Sequence, residues 1–328
     1  MDQPLTFSPI FKERVWGGRR LATVYEKALP ENALIGESWE ITDRPEAVSV
    51  VSKGPHQGIP LRALMEDYRH EILGCLADRH DHFPLLVKIL DAREKLSLQV
   101  HPPQKLAAEL QGEPKTEMWY VADAEPHASV YAGLKQGVTK DQFSYQCQDG
   151  TVADCFHEIS VKRGDCLFLE SGRVHALGGG NLIFEIQQNS DTTYRVFDWN
   201  RVGLDGKPRD LHISESLQAI DFDDFEPTLE RPEVVLSEPG LVMEKLISDN
   251  RVFSCHRLRM NADRVSTLDL KETPAVIACL EGHLQIHTPK APVSLRPGDF
   301  ALVPAAAGKA TFGSDKQASC WLFAQPTG

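Results

Sequence analysis

Gln99 and His101 stand two apart in Leu96-Ser97-Leu98-Gln99-Val100-His101-Pro102-Pro103, which alternates apolar and polar residues before two prolines. Such alternation predicts a strand with one apolar and one polar face, and a following proline ends it. Side chains two apart share a face. Ser97, Gln99 and His101 therefore project together, while Leu96, Leu98 and Val100 pack on the other side. Glu117 lies on the next strand candidate, with Lys115 two residues before it on the same face. His175 follows the far end of another strand. Two imidazoles, a carboxylate and an amide oxygen suit a divalent transition metal, most often zinc with one position open to water or substrate. Ligands spread over several strands are a weaker signature than a compact helical motif. The chain has 12 histidines, so most must be surface or satisfied core residues. What distinguishes Gln99, His101, Glu117 and His175 is their place on strands flanked by apolar residues, where a core rejects polar groups that have no partner.

Downstream, Glu185, Gln187 and Asn189 share one strand face, and Arg195 follows. A guanidinium stays cationic at any working pH and grips an oxyanion or phosphate at two points. On spacing alone, an ion pair with Asp191 or Asp198 is the simpler reading of Arg195. Two other functions stay open on the residues alone. One is a metal enzyme using iron or manganese for oxygen chemistry in a barrel; the other is a non-catalytic sugar-binding or regulatory protein.

The elements that must position these groups are mostly strands. Phe83–Leu90 is nearly all apolar and predicts a buried strand ahead of the Gln99 stretch. Gln104–Gln111 predicts a helical turn or two, closed by Gly112. Further strands are expected at Met118–Val121, Ala128–Tyr131, Ile159–Val161, Cys166–Leu169, Asn181–Gln187 and Thr193–Phe197. Many short strands with glycine-rich turns favour a sandwich or barrel, and a doubly wound sheet would need helices that are missing. One amphipathic helix is predicted at Leu61–Leu76, opened by Pro60, and a shorter one at Ile213–Ile220.

Val161-Lys162-Arg163-Gly164-Asp165-Cys166-Leu167-Phe168-Leu169-Glu170 matches Leu295-Arg296-Pro297-Gly298-Asp299-Phe300-Ala301-Leu302-Val303-Pro304 in register. Each is a Gly-Asp turn followed by an apolar strand, and two copies of one β-barrel unit explain the match. The register sets Lys309 opposite His175, so only the first copy should hold chemistry. The acidic, proline-containing run Asp221–Pro232 reads as a connection. The expected division is residues 1–232, including a helical segment at about 60–76, and residues 233–328.

Composition bounds the rest. The chain has 328 residues, 41% hydrophobic and 25% charged, ordinary for a soluble globular protein. A formal charge of −12 argues against nucleic acid or an anionic membrane as partner, but a local basic pocket can still hold a small anion. No apolar run approaches the roughly 20 residues of a membrane helix. The first residues lack a basic stretch followed by an apolar one, and the seven cysteines are scattered with no C-x-x-C pair. Both features fit reduced thiols in a cytoplasm.

The motifs together resemble the type I mannose-6-phosphate isomerases, in their short bacterial form. The matching stretches are Arg14-Val15-Trp16-Gly17-Gly18, Gly36-Glu37-Ser38-Trp39-Glu40-Ile41, Leu85-Leu86-Val87-Lys88-Ile89-Leu90-Asp91-Ala92, Leu96 to Pro102, Lys115-Thr116-Glu117-Met118-Trp119-Tyr120 and Tyr194-Arg195-Val196-Phe197-Asp198-Trp199. The resemblance is close over roughly residues 5–215. It implies a mainly β fold of two cupin-like, jelly-roll barrels with a small helical insertion, the second barrel non-catalytic. It implies one Zn²⁺ per chain held by Gln99, His101, Glu117 and His175. It sets Arg195 at the catalytic arginine, with Lys115 and Glu185 as further catalytic candidates. Ser97 and Lys115, with Lys88 behind them, become the substrate-binding candidates. The implied partner is a small sugar phosphate, and the implied reaction interconverts mannose 6-phosphate and fructose 6-phosphate through an enediol.

Overall fold

The computed structural model describes residues 1–247, 251–287, 292–314 and 316–327. The fold is mainly β, in antiparallel sheets, with few helices. In chain order the strands of the first part are β1 (Ile10–Gly18), β2 (Ile35–Ile41), β3 (Asp43–Arg44), β4 (Ala47–Val48), β5 (Leu85–Ala92), β6 (Leu98–Val100), β7 (Glu117–Ala124), β8 (Ser129–Leu134), β9 (Phe156–Ser160), β10 (Cys166–Leu169), β11 (His175–Leu177), β12 (Asn181–Gln188) and β13 (Tyr194–Phe197). One sheet runs β1-β2-β5-β12-β7-β10 and a second runs β13-β6-β11-β8-β9. Trp119, Leu167 and Ile183 of the first sheet bury against Val130, Ala132 and Leu177 of the second, so a core fills the space between them. This two-sheet arrangement is what the strand-rich pattern predicts, and it agrees with the cupin-like fold that the resemblance implies.

Two compact units divide the chain. One comprises residues Phe11–Ser38 and Lys88–Glu230. The other comprises Met1–Ile10, Trp39–Val87 and Arg231–Gly328. The expected division at 232/233 stands beside the observed one at 230/231. The second unit also takes up residues 39–87, and with them the helix Leu61–Leu73 and the 3-10 turn Gly74–Leu76. Leu61, Leu64, Met65, Ile72 and Leu73 form that helix's buried stripe.

The second unit repeats the two-sheet plan. A six-stranded sheet contains Phe253–Met260, Ala275–Glu281 and Ser319–Pro326, and a four-stranded sheet contains Leu284–His287 and Lys309–Ser314. Its interior is filled by apolar residues of both sheets, among them Ile277, Ile286, Phe312 and Trp321.

The Gly-Asp repeat is a repeat of hydrogen bonds as well as of letters. Asp165 caps its own turn by accepting from the Lys162 N–H, and Asp299 accepts from the Arg296 N–H, both at 2.9 Å. Gly164 donates to Val121 O at 2.8 Å and Gly298 donates to Cys279 O at 2.9 Å. Both glycines hold positive φ, 91° and 84°, which a side chain would strain. Continuing each register, Leu169 pairs with Glu117, whereas Val303 pairs with Ala275. His175 and Lys309 each begin the strand that follows. The second unit therefore has alanine and lysine where the first has Glu117 and His175.

One local expectation is revised. The strand around Gln99 is shorter than its alternation, only Leu98–Val100, because β13 and β11 pair with it over few residues. The helical turn or two expected at 104–111 is present as successive turns, with the Ala107 N–H donating to Pro103 O at 3.1 Å and the Leu110 N–H to Leu106 O at 3.0 Å. No described helix is long and apolar enough to cross a membrane, and all seven cysteines are free.

Candidate metal centre and substrate cleft

Strand β6 decides which way Gln99 faces. Leu98 and Val100 bury in a cluster with Phe143 of the helix Lys140–Asp149 and Ala219 of the helix Ile213–Ala219. With those apolar side chains taken up outside the sheet, Gln99 projects to the inner face. Its Cα neighbours are His175 on β11 and Arg195 on β13. Directly opposed residues of antiparallel strands share a face, so Arg195, Gln99 and His175 form a row across the second sheet. Tyr194 and Val196 alternate with Arg195 and join the outer cluster. The first sheet brings Glu117 on β7 opposite Gln187 on β12, with Glu185 opposite Trp119.

His101, Glu117 and His175 converge, with one ligand atom of each within 4.8 Å of the others. His175 Nε2 lies 3.5 Å from Glu117 Oε1, and His101 Nε2 lies 3.7 Å from Glu117 Oε2. The far ring nitrogens fix the tautomers. His101 Nδ1–H donates to Thr192 O at 2.7 Å, and His175 Nδ1–H donates to Arg173 O at 2.9 Å. Each Nε2 then turns a lone pair toward the carboxylate, the arrangement of metal-ligating histidines. Burial holds both rings neutral: it drives His175 down to about 3 and His101 well below its ordinary range, and the Lys115 ammonium adds to both shifts. Glu117 is wholly buried and its Oε1 accepts no hydrogen bond. Glu117 Oε1 and the His175 Nε2 lone pair face one another at 3.5 Å, a repulsion that a cation between them would relieve. Bonds of about 2.0–2.1 Å at tetrahedral angles put ligand atoms about 3.4 Å apart, close to the separations here. The residues fit a divalent metal.

Gln99 lies beside this cluster. Its side-chain nitrogen lies 3.3 Å from His175 Nε2. Nitrogen and oxygen of an amide exchange places by a half-turn, which presents Oε1 to the same point without moving the chain.

Around the centre lies a ring of paired charges. Lys115 Nζ is 2.7 Å from Glu117 Oε2 and 3.4 Å from His101 Nε2. Burial raises Glu117 to about 7 against the opposing pull of Lys115, while Glu117 and Glu185 together push Lys115 above its ordinary value despite burial. Glu185 accepts from Trp119 Nε1 at 2.9 Å and faces Lys88 Nζ at 3.2 Å. Burial works to raise Glu185, but Lys88 and Lys115 outweigh it and hold the carboxyl below its usual range. Trp119 also sets its ring edge against His175, at 5.5 Å between centroids.

A cleft of about 560 Å³ opens over this region, lined by Lys88, Ser97, Gln99, Lys115, Glu185 and Arg195 among others. Every candidate residue named from the sequence is either a member of the buried cluster or on this lining. Arg195 is paired with neither Asp191 nor Asp198. Asp198 is taken by Arg201 and Arg209, and Arg195 Nη1 donates to Asp210 O at 2.7 Å. Its Nε is buried without a partner.

Sequence reasoning did not assign the opposite wall, Arg14 and Glu37, which are joined at 2.6 Å, nor Arg209. Glu37 lies in an alternating stretch whose polar residues carried the signal. Arg209 lies in a polar loop with no periodicity to mark it.

The chain is similar over most of its length to known proteins. Residues 5–130 match the family described as phosphomannose isomerase type I, catalytic domain. The chain is 34% identical over 313 residues to mannose-6-phosphate isomerase ManA of Bacillus subtilis, covering 94% of this chain and 95% of that protein. It is 34% identical over 307 residues to a mannose-6-phosphate isomerase of Streptococcus mutans, covering 93% of each. A solved structure of the mannose 6-phosphate isomerase from Bacillus subtilis superposes with a TM-score of 0.88 at 29% identity, covering 99% of both chains.

Proposed function

Since the chain belongs to the type I phosphomannose isomerase family, we propose that its cleft interconverts mannose 6-phosphate and fructose 6-phosphate with a zinc-class divalent cation. The observation that carries this reading is the buried His101–Glu117–His175 cluster, with its orphaned carboxylate oxygen, beside a cleft whose lining includes Lys88, Lys115 and Arg195. An aldose and its ketose differ by a proton moved between C2 and C1. The obstacle is the low acidity of a carbon beside a carbonyl. Gln99, His101, Glu117 and His175 would hold the cation, which would supply Lewis acidity toward the carbonyl and stabilise developing negative charge.

The chain's own groups do the rest. The Lys115 ammonium, beside Glu117, hydrogen-bonds the sugar oxygens nearest the floor, and Ser97 and Lys88 position the substrate along the lining. Arg195 stands across from Gln99 in the strand register and has an unused Nε donor. It stabilises the enediolate as charge builds. Glu185, kept ionised by Lys88, is the carboxylate we assign to take the C2 proton and return it to C1. The paired cations of the lining leave the oxygen-using alternative with no feature of its own.

The test is a coupled assay for fructose 6-phosphate formed from mannose 6-phosphate, before and after chelation and after return of Zn²⁺. The reading expects turnover, its loss on chelation and its recovery. Oxygen uptake in place of isomerisation sinks it.

A further inference from the structure

Gln187 is a buried amide on the inner face of the first sheet that no step of the reaction above uses. It stands opposite Glu117 in the β12–β7 register, so the two side chains leave the same face. Gln187 is 0% exposed. Its Nε2 donates to Gln188 O at 2.8 Å and to Ser190 O at 2.6 Å. Two carbonyl acceptors fix which end of the amide is nitrogen. Both amide hydrogens are therefore spent on the turn that leads from β12 to β13.

That turn carries the carbonyl that sets His101. Thr192 O accepts the His101 Nδ1–H at 2.7 Å, and this bond leaves Nε2 facing Glu117 with a lone pair. Thr192 is held from two sides. Its N–H donates to Ser190 Oγ at 3.2 Å, and its Oγ1 accepts from the Glu113 N–H at 3.0 Å. Ser190 is buried; its N–H donates to Gln188 O at 2.7 Å and its Oγ to Glu113 O at 3.3 Å. Every link from Gln187 through Ser190 and Thr192 to His101 is a hydrogen bond or a stretch of main chain.

A buried amide tying down a turn is not by itself a functional device. Asn181, at the other end of β12, does the same: it is 0% exposed, and its Nδ2 donates to Ser129 O at 2.9 Å and to Gly178 O at 3.0 Å. In each amide the oxygen has no hydrogen-bond partner among the described residues. What separates the two is the load. Asn181 fastens main chain that bears no member of the metal cluster, whereas Gln187 fastens the turn that bears Thr192 O. A ligand whose outer partner drifts loses its orientation, and losing such a partner weakens metal binding.

We propose that Gln187 is a positioning residue for the metal centre. By fixing the turn between β12 and β13 it holds Thr192 O where the His101 Nδ1–H donates, and so aims His101 Nε2 at the cation. The proposal rests on the reading of His101 as a ligand, and it concerns the binding of Zn²⁺ itself, with or without substrate.

The probe is Zn²⁺ alone, titrated into the apo-protein in competition with a chromophoric chelator. Wild type, Gln187→Met, Asn181→Leu and His101→Ala are compared. Gln187→Met keeps the length of the side chain and removes both donors, and should bind Zn²⁺ about 10- to 100-fold more weakly. Asn181→Leu makes the equivalent loss where no ligand depends on it, and should stay within about threefold of wild type. The second readout is NMR of the histidine-labelled apo-protein. The His101 ring N–H, identified by its absence from His101→Ala, should exchange slowly with water in wild type and Asn181→Leu and rapidly in Gln187→Met. Ser190→Ala loosens the same turn by a smaller change and should weaken Zn²⁺ by about 3- to 10-fold; it carries the test if Gln187→Met does not fold. Unchanged affinity and ring exchange in folded Gln187→Met, or in Ser190→Ala where it stands in, overturn the proposal. So does an equal loss in Gln187→Met and Asn181→Leu, which marks general destabilisation. Wild-type affinity in His101→Ala removes the ligand assignment and the proposal with it. Lost affinity there beside an unchanged Gln187→Met refutes the proposal alone.

Discussion

Replacing Lys88 by Met removes the nearest cation from a carboxylate that has no water to fall back on. Lys88 Nζ and Glu185 Oε2 are 3.2 Å apart, and each side chain is 4% exposed. At an effective dielectric constant near 20, Coulomb's law gives about 5 kcal/mol for that pair. Breaking a buried pair by removing one partner costs about 3–5 kcal/mol in practice, since the stranded charge loses solvation as well. Glu185 keeps its hydrogen bond from Trp119, so the lower half of that range is expected near pH 8, with a fall in the melting midpoint of about 5–10 °C. The pH dependence has a definite sign. In the parent protein Glu185 titrates below its ordinary range, so its contribution is present above the unfolded carboxylate pKa and is lost only as pH falls through the lower folded value. In Lys88→Met, burial is less opposed and the folded pKa rises above the unfolded one. The folded variant then binds the extra proton, so the deficit shrinks toward pH 5 and grows as pH rises through that folded pKa. Urea unfolding of the parent and the variant at pH 5 and 8 measures both effects. Lys88→Met/Glu185→Gln should regain much of the loss at pH 8, because the other carboxylate near Lys88, Glu37 at 3.8 Å, keeps its ion pair with Arg14 at 2.6 Å. A deficit below about 1 kcal/mol at pH 8, with no pH dependence, refutes the reasoning.

Other expectations follow from the same geometry. Burial raises Glu117 to about 7 while both histidines are already neutral. Metal binding to the apo-protein should therefore release about one proton at pH 6 and almost none at pH 8.5; calorimetry in buffers of different ionisation enthalpy reads the difference, and release of two protons at pH 6 contradicts the neutral histidines. Arg195→Ala should keep the metal and lose most turnover, about 100-fold or more in kcat; near-normal turnover reduces Arg195 to a structural role. Trp119→Phe removes the indole donor to Glu185 at 2.9 Å and should cost about 1–3 kcal/mol of stability with the metal retained, measured by denaturant titration beside metal analysis.

Much of the site was legible because strand alternation is local. The period of two at Leu96–His101 separates Gln99 and His101 from Leu98 and Val100, and the structure buries the two sets on opposite sides of β6. The Gly-Asp repeat was legible for a similar reason: a turn that needs positive φ and an aspartate cap leaves fixed letters, and both copies make the same four kinds of bond. What could not be read was non-local. Whether Arg195 pairs with Asp198 depends on where the loop bearing Arg201 and Arg209 returns, and spacing does not encode that. Arg14 and Glu37 form a cleft wall only because β1 and β2 enter the sheet beside β5.

The central claim is that one buried cation on Gln99, His101, Glu117 and His175 is required for sugar-phosphate isomerisation. Metal analysis and coupled isomerase assay of the same preparations of wild type and His101→Ala test it most directly. The account predicts about one equivalent of metal per chain with activity in the wild type, and neither metal nor activity in folded His101→Ala. Full isomerase activity in a metal-free His101→Ala protein contradicts it.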